Sequence, residues 1–333
     1  MSSHDMQSEL SESNRPNSYT DRPCVWLLLD GRPGHRNQVL GLADALQRIQ
    51  PLHVEKISIR GVSHGLMTGA ARDRRLPSGR PDSIIAAGHS THLPLLMLGR
   101  RFAARTVLLM KSTLPYLLFD ACLVPDVYNF RTVPQNVILT TGVLNRIQRS
   151  QHQNASQRLV LIGGPSKHHA WDGPKVLKQL EHVLESKPSG HWAIATSRRT
   201  PAVFVDQLQS LQSERIRLVP AESVGPEWLP QQFARCGEVW VTGESVSMLY
   251  EAVTSGAAVG MLELPRIRSN KATRCIDMLL DLNAVTSFTN YMADGVLKAS
   301  DLPLNEADRC ARELLSRRIV PQIVSAGPSA KVA

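Results

Sequence analysis

The feature that most constrains the fold is a regular alternation of short apolar runs with amphipathic, helix-like segments. The runs are nearly continuous and rich in aliphatic residues, which is typical of strands buried on both faces of a parallel sheet. Between the first two runs, residues 37–50 place apolar side chains at helical spacing, as expected of a crossover helix. The first group of runs lies at 25–29, 53–57, 83–87, 106–110, 121–124 and 136–140. The sequence therefore predicts an α/β fold with a doubly wound parallel sheet.

The alternation stops once and then begins again. Residues 141–157 lose apolar periodicity and predict an interdomain linker with a boundary near residue 150. A chain of 333 residues is also long for a single hydrophobic core. The second group of runs lies at 158–162, 192–196, 216–220, 238–242 and 257–262, and a last helical segment at 305–319 could pack across the junction. We predict a disordered tail at 1–22, one Rossmann-like domain at 23–150, a second at 151–320 and a flexible tail at 321–333.

Composition narrows the class of protein and of partner. Lys and Arg exceed Asp and Glu by 38 to 29, so the formal net charge of +9 favours partners that carry phosphate. The five cysteines include no C-x-x-C pair, as expected of reduced thiols. The first 22 residues lack the apolar core of a signal peptide, and no run approaches the ~20 apolar residues of a membrane span. We expect a cytoplasmic protein that is either soluble or peripheral at the inner face of the cytoplasmic membrane.

The loop after the first apolar run, D-G-R-P-G-H-R-N-Q at 30–38, predicts a ligand-binding turn. Ligands of open α/β sheets bind beyond the carboxyl ends of the strands. Gly31 and Gly34 let the backbone turn sharply and approach a ligand, and the following helix offers free N–H groups. Asp30 and His35 are candidate proton acceptors, and His35 is favoured because its ordinary pKa lies near neutrality. The alternative interpretation is a tight turn in which His35 caps the helix.

Two loops in the second half combine glycine, hydroxyl and basic residues. The segment G-G-P-S-K follows the first strand there, and the N–H groups of Gly163 and Gly164 could cradle an anion beside Lys167. The segment T-S-R-R-T-P follows the next strand, where Ser197 or Thr200 could cap a helix and Arg198 or Arg199 could reach a diphosphate. The alternatives are a plain glycine-proline turn and a solvated pair of arginines.

The most specific loop is V-T-G-E-S-V-S-M-L-Y-E-A at 241–252. Ser245 and Ser247 stand at the start of a predicted helix, where hydroxyl and N–H groups bind phosphate together. Glu251 lies four residues after Ser247, one turn along the same helical face. Its carboxylate could accept hydrogen bonds from the paired hydroxyls of a ribose. The loops of the second half together predict a pocket for a nucleoside diphosphate, and the alternative is a capped helix with a surface glutamate.

These blocks resemble a known family. W-L-L-L-D-G-R-P-G-H-R-N-Q, L-I-G-G-P-S-K, T-S-R-R-T-P and V-T-G-E-S-V-S-M-x-x-E-A occur in order within residues 24–290. They are similar to the mitochondrial-fission-type (elongated mitochondria) family, whose bacterial members are regarded as glycosyltransferases of the GT-B architecture. The resemblance implies two Rossmann-type domains that face a central cleft, with a nucleotide-sugar donor in the C-terminal half. By similarity, the donor-binding residues are Gly163, Gly164, Lys167, Ser197, Arg198, Ser245, Ser247 and Glu251.

The acceptor is expected to face the N-terminal half, where the sequence departs from the family at one turn. Family members often carry an acidic or arginine-bearing turn where this chain has M-K-S-T-L-P at 110–115. We therefore place Lys111, with Gly31 and Gly34, on the acceptor side, in contact with a different acceptor or donor group. Substrate identity does not transfer from relatives across such a change.

The resemblance and the loops together predict glycosyl transfer in the interdomain cleft. His35, or failing it Asp30, would deprotonate the acceptor, a saccharide or a lipid-linked saccharide of the kind used in lipopolysaccharide or lipooligosaccharide assembly. No D-x-D pair occurs in the chain, so we expect no catalytic metal, and the nucleotide sugar is a substrate rather than a cofactor. The alternatives are a non-catalytic GT-B scaffold in membrane remodelling and a sugar-nucleotide epimerase. Nucleic-acid binding is not expected, because no reading motif accompanies the basic charge.

An arginine-rich part of the first half could adhere to anionic lipid, since each cation near the surface adds ~1 kcal/mol. The alternative is that these arginines are solvated and that Leu95, Leu96 and Leu98 belong to the core, which we favour for the leucines. The arginines are Arg72, Arg74, Arg75, Arg80, Arg100, Arg101 and Arg105.

Overall fold

The computed structural model describes residues 22–59, 76–128 and 130–323 and contains two six-stranded parallel sheets. Every strand predicted from an apolar run is present, so the α/β class with two doubly wound sheets is confirmed. The proposed tails fall almost entirely outside the described residues, as do Arg72, Arg74 and Arg75.

The first sheet has the strand order β2-β1-β3-β4-β5-β6. Alternate residues of its first strand enter opposite cores: Val25 and Leu27 face one side, and Trp26 and Leu28 face the other. All four are almost completely buried, which is why the run shows no polar alternation. The elements are β1 (Cys24–Leu29), α1 (Pro33–Ile49), β2 (His53–Ser58), β3 (Ser83–Ala87), α2 (His92–Phe102), β4 (Arg105–Leu109), β5 (Ala121–Pro125) and β6 (Val137–Thr140).

Helix α1 begins four residues before the predicted start, because Pro33 occupies its first turn. The fixed φ of proline suits that position, and its missing N–H removes no helical hydrogen bond there. The helix ends at Ile49, just before Pro51, which cannot continue it. The early start places Gly34 to Asn37 in the first turn, directly after the strand end.

The second sheet has the order β12-β11-β10-β7-β8-β9. Strand β7 begins at Asn154, so the last four residues of the predicted linker are strand rather than linker, paired with β8 and β10. Strand β12 has only two residues and was not predicted. The elements are β7 (Asn154–Ile162), α3 (Gly173–Ser186), β8 (His191–Thr196), α4 (Ala202–Gln209), β9 (Ile216–Val219), α5 (Trp228–Arg235), β10 (Cys236–Thr242), α6 (Val246–Ser255), β11 (Ala258–Leu262), α7 (Lys271–Asp281), β12 (Thr286–Ser287) and α8 (Phe288–Asp294).

The last helix, α9 (Glu306–Ser316), returns to the first sheet. Cys310 and Leu314 are completely buried in the same core as Val25 of β1 and Leu42 of α1. The segment was predicted to be helical and to reach the junction, and it packs beside α1. We define the first lobe as β1–β6 with α1, α2 and α9, and the second lobe as β7–β12 with α3–α8. The domain limits proposed from the sequence stay a prediction.

The apolar part of α2 is divided between core and surface. Leu95 and Leu98 are completely buried and Leu96 packs partly against the same core, whereas Leu93 is 65% exposed. Arg100 and Arg101 at the end of the helix are exposed. Within the described ranges, no helix combines the length and the apolar character needed to cross a membrane.

Candidate functional site

Both sheets have a topological switch point, where successive strands are added on opposite sides of the starting strand. In the first lobe it lies between β1 and β3, and in the second lobe between β7 and β10. A crevice forms at the carboxyl ends of the strands at such a point, and ligands bind there. The sequence-predicted loops at 30–38, 163–167 and 243–247 therefore stand at the two expected positions.

The three strand-end loops of the second lobe are joined to one another by hydrogen bonds. The amide of Gly163 donates to Oγ1 of Thr242 at 2.8 Å, and the hydroxyl of Ser197 donates to the carbonyl of Gly163 at 3.0 Å. Thr200 donates to the same carbonyl at 2.6 Å. The predicted convergence of these loops at one edge of one sheet is thus present in the structure.

The glycine loop differs from the open N–H cradle that the sequence suggested. The amide of Gly164 donates to Oε1 of Glu244 at 2.8 Å, and the Glu244 side chain is fully buried. A Cβ at Gly163 would overlap that carboxylate, so glycine is needed to admit it. Both glycine amides are therefore engaged within the protein, that of Gly163 by Thr242 and that of Gly164 by the Glu244 carboxyl group.

Glu244 also holds an arginine at the edge of the site. Nη2 of Arg199 lies 3.3 Å from Oε1 of Glu244, and Nη1 donates to the carbonyl of Pro165 at 3.1 Å. Burial raises the pKa of Glu244, while the hydrogen bond from Gly164 and the charge of Arg199 oppose that rise. Oε2 of Glu244 is buried without a hydrogen-bond partner among the described residues. The guanidinium is thereby fixed where the loop meets the interlobe cleft.

The first turn of α6 carries the two predicted serines. Ser245 is the N-cap residue and is buried, and its side chain makes no capping hydrogen bond. Ser247 is exposed. The free N–H groups of the turn and the two hydroxyls therefore stand together at the positive end of the helix dipole, an arrangement that suits an anion.

A cleft of about 790 Å³ lies between the lobes at this helix end. Its second-lobe wall includes Ser245, Ser247, Glu251 and Arg199, and its first-lobe wall includes Gly34. Cationic side chains outnumber carboxylates along it, which favours an anionic ligand. The remaining polar and charged lining residues are Arg36, Asn37, Lys56, Arg146 and Glu227.

Two residues on opposite walls of the cleft meet directly. Nδ2 of Asn37 in α1 donates to Oε1 of Glu251 in α6 at 2.6 Å. Burial raises the pKa of Glu251 to about 7, and the hydrogen bond from Asn37 works in the opposite direction. The predicted ribose-binding carboxylate therefore keeps its proton to a higher pH than an exposed glutamate does.

The predicted catalytic pair forms a hydrogen-bonded unit at the switch point of the first lobe. Nδ1 of His35 lies 2.8 Å from Oδ2 of Asp30, which also accepts from Ser90 at 3.1 Å. Burial alone would raise the pKa of Asp30, but hydrogen bonds from the Arg32 amide, His35 and Ser90 together lower it. The His35 ring lies against Gly88, where a Cβ would overlap it. The ring stands beside the cleft and is not one of its lining side chains.

Gly31 supports this geometry through its backbone. Its φ of 83° lies in the left-handed region, which only glycine adopts without strain. The turn directs the chain from β1 into α1 and lets the amide of Arg32 donate to Oδ1 of Asp30 at 3.0 Å.

Gly163, Gly164 and Ser197 do not line the cleft, and three further predicted residues are exposed away from it. Lys167 and Arg198 are exposed and do not line it, whereas Arg199, the other candidate of the arginine pair, does. Lys111 is exposed, with Nζ 5.1 Å from the centre of the Tyr128 ring. The structure thus separates Lys111 from the cleft, because the turn after β4 directs it toward the loop that follows β5.

Three residues at the site were missed from the sequence: Asn37, Ser90 and Glu244. Asn37 and Glu244 belong to the predicted loop segments 30–38 and 241–252, in which neighbouring residues carry the predicted roles. Ser90 follows β3 in G-H-S-T-H, and the rule that ligands bind at strand ends would have found it. In the part of the chain that the structure describes, no group of three or more His, Cys, Asp or Glu side chains is arranged to hold a metal ion.

The fold is GT-B-like, with two Rossmann-type lobes that face a central cleft. It is similar to that of the UDP-GlcNAc 2-epimerase from Neisseria meningitidis bound to UDP-GlcNAc, with a TM-score of 0.53, 11% identity, and coverage of 89% of this chain and 99% of that one. The UDP-GlcNAc 2-epimerase from Methanocaldococcus jannaschii gives a TM-score of 0.52 with 10% identity, over 88% and 99% of the two chains.

The sequence comparison defines the family. The family model described as mitochondrial fission ELM1 matches residues 33–318, and the chain belongs to that family. It is also similar to the uncharacterized protein RP120 of Rickettsia prowazekii (strain Madrid E), with 22% identity over 356 residues that cover 86% of this chain and 96% of the relative. The resemblance read from the sequence is therefore confirmed at the level of family and fold.

Proposed function

We propose that this protein is a glycosyltransferase that moves a sugar from a nucleotide-sugar donor to a saccharide or lipid-linked acceptor. One observation carries the proposal: the N-terminus of α6, with Ser245, Ser247 and Glu251, opens into a cleft whose other wall is the first turn of α1. A phosphate-binding helix end one turn away from a carboxylate matches the spacing of a diphosphate and its ribose.

In this proposal the donor lies along the second-lobe wall. The diphosphate accepts hydrogen bonds from the first-turn amides and serine hydroxyls of α6, with the Arg199 guanidinium beside it. Glu251 accepts from the ribose hydroxyls. Because a carboxylate accepts best when it is ionised, and burial sets the pKa of Glu251 to about 7, donor affinity should fall as the pH drops below neutral.

The chemical step would need stabilisation of the charge on the leaving group and a base that takes the acceptor proton. As the bond between the sugar and the diphosphate breaks, negative charge grows on the leaving group, and preorganised amides and Arg199 stabilise it. Asp30 binds Nδ1 of His35, so Nε2 is the nitrogen that would take the acceptor proton. We propose that the leaving group is neutralised by these groups without a metal ion.

The acceptor side is proposed to lie in the first lobe. Gly31 and Gly34 shape its loop, and a lipid-linked acceptor would bring the protein to the inner face of the cytoplasmic membrane. The exposed Leu93, Arg100 and Arg101 on α2 would then face anionic lipid. Equal sedimentation with neutral and anionic liposomes would rule out this contact.

A thermal-shift panel of nucleotide sugars tests the proposal. The Neisseria epimerase was solved with UDP-GlcNAc, so UDP sugars head the panel, followed by CDP, GDP, ADP and dTDP sugars. We expect the sugars of one nucleotide to raise the melting temperature of the protein. The nucleotide sugar that does so should then lose its sugar only when an acceptor is present. Conversion of the donor to an epimer without an acceptor would identify an epimerase instead. The absence of any shift across the panel would favour a non-catalytic scaffold.

A further inference from the structure

The contact between Asn37 and Glu251 joins residues 214 positions apart on facing walls of the cleft. Asn37 stands in the first turn of α1, whose start is set by Pro33. The helix is seated by Gly41, where a Cβ would overlap the backbone of Asn145 in the interlobe segment. The amide is therefore held by the framework of the first lobe, so its position depends on how that lobe meets the second.

Among the described residues, no charged side chain makes the contact with Glu251 that Asn37 makes. The cleft brings Arg36, Lys56, Arg146, Arg199 and Glu227 near the same space, and none of them is hydrogen-bonded or ion-paired to Glu251. Arg146 pairs with Asp44 and Arg199 with Glu244.

The described elements that pack against α6 also provide no hydrogen-bond or ion-pair partner for Glu251. Helix α7 carries Lys271, Arg274 and Asp277, and α5 ends in Arg235. None of these four is hydrogen-bonded or ion-paired to Glu251. Tyr250, the neighbour on α6, donates instead to the carbonyl of Cys275. The ionised form of Glu251 thus has one specific partner among the described residues.

We propose that Asn37 is a positioning residue of the donor site: from the first lobe it orients the Glu251 carboxylate and supports its charged form, so that a ribose meets a competent acceptor only when the lobes are in contact. The inference rests on the proposed function, since it assigns Glu251 to the ribose. Oε1 is taken by Asn37, and Oε2 remains for the ligand hydroxyls. Donor recognition by the second lobe is thereby made dependent on a residue of the first.

The direct test follows the titration of Glu251 itself. Full-length protein labelled with carboxyl-¹³C glutamate would be titrated by NMR, with the Glu251 resonance assigned by its loss in Glu251→Gln. Asn37→Leu removes the donor while it keeps water out, so we expect the midpoint of Glu251 to rise by about half a pH unit or more. Asn37→Ala is the second variant should Leu impair folding, with a smaller rise because water can enter. Gln47→Ala, which removes an exposed amide on the same helix, should leave the midpoint unchanged.

A second readout separates this inference from the proposed function. With UDP as the probe, Asn37→Leu should bind about 3- to 10-fold more weakly than wild type at pH 7, and the deficit should shrink toward pH 8.5 as Glu251 ionises in both proteins. A midpoint that is the same in wild type and both variants would overturn the role of Asn37. If wild type binds no nucleoside diphosphate while the titration midpoint of Glu251 still differs between wild type and the Asn37 variants, the proposed function is overturned. Asn37 would then remain the group that sets the charge of Glu251.

Discussion

At the scale of the residue, the site depends on groups that are buried at some cost and held by few partners. Glu251, Glu244 and Asp30 are three carboxylates at the carboxyl edges of the two sheets. Asn37 and His35 of α1 hold Glu251 and Asp30, and the glycine loop holds Glu244. The sequence identified two of them from their position after a strand or on a helix face. It could not show that Glu244 fills the glycine loop, because that contact depends on how two loops meet in space.

Replacing Glu251 with glutamine should change stability in a pH-dependent way. The folded-state pKa is raised from 4.5 to about 7, so the protonated carboxyl favours folding below pH 4.5 and this contribution is lost as the pH rises through 7. Glutamine stays neutral and can still accept from Asn37. Urea unfolding should therefore show Glu251→Gln to be more stable than wild type by about 1–2 kcal/mol at pH 8, with little difference at pH 4.5. A constant difference at both pH values would show that burial of this charge is not what destabilises the wild type.

His35 should matter for turnover and not for donor affinity. It binds Asp30 at the first-lobe switch point and stands beside the donor cleft. Once a donor and acceptor pair is known, His35→Ala should lower kcat by roughly 10²- to 10⁴-fold with the donor Kd unchanged. His191→Ala removes an exposed histidine and serves as the control. A parallel loss of donor affinity in His35→Ala would place the imidazole in the donor site instead.

At the scale of the element, most strands were predictable because they are buried on both faces, which removes polar alternation from the sequence; the edge strand β2 is largely exposed. Strand β12 and the first residues of β7 were missed, since the former has two residues and the latter is exposed. Their strand character rests on backbone hydrogen bonds, which leave no hydrophobic signal. The sequence also could not choose between Arg198 and Arg199. Both follow β8, and only the geometry of the turn decides that Arg199 faces the cleft.

The seating of α1 is open to a direct test at Gly41. A Cβ there would overlap the backbone of Asn145, which cannot move aside as a flexible side chain would. Gly41→Ala should lower the free energy of unfolding by about 1–3 kcal/mol, as overpacking does in dense cores. Gly79→Ala has open space around it and should change stability far less. Equal stability of the two variants would mean that α1 does not rest on the interlobe segment as described.

At the scale of the whole molecule, the chain crosses between the lobes twice, once through residues 141–153 and once to reach α9. Helix α9 completes a core of the first lobe, and Thr141 donates its amide to Glu306 at 2.9 Å, which ties the two crossings together. The helical character of α9 follows from its periodicity. Its partner could not be predicted, because either lobe offers an apolar face to an amphipathic helix.

The docking of α9 predicts where its mutations act. Leu314 is completely buried beside α1, so Leu314→Ala should cost about 2–5 kcal/mol of unfolding free energy. Hydrogen exchange should show faster opening of β1 and α1 in the first lobe, with β7 and β10 unaffected. Arg312→Ala on the exposed face is the control. Faster exchange confined to the second lobe would show that α9 stabilises that lobe and not the first.

The central claim is that a nucleoside diphosphate binds in the interlobe cleft at the start of α6, with its ribose on Glu251. Calorimetry of UDP and the other nucleoside diphosphates with wild type, Glu251→Ala and the exposed-surface control Glu185→Ala at pH 8 tests it most directly. We expect one nucleotide to bind wild type and the control alike, and to bind Glu251→Ala more weakly by about 1–3 kcal/mol. Equal affinity in all three proteins, or binding in none, would contradict the account.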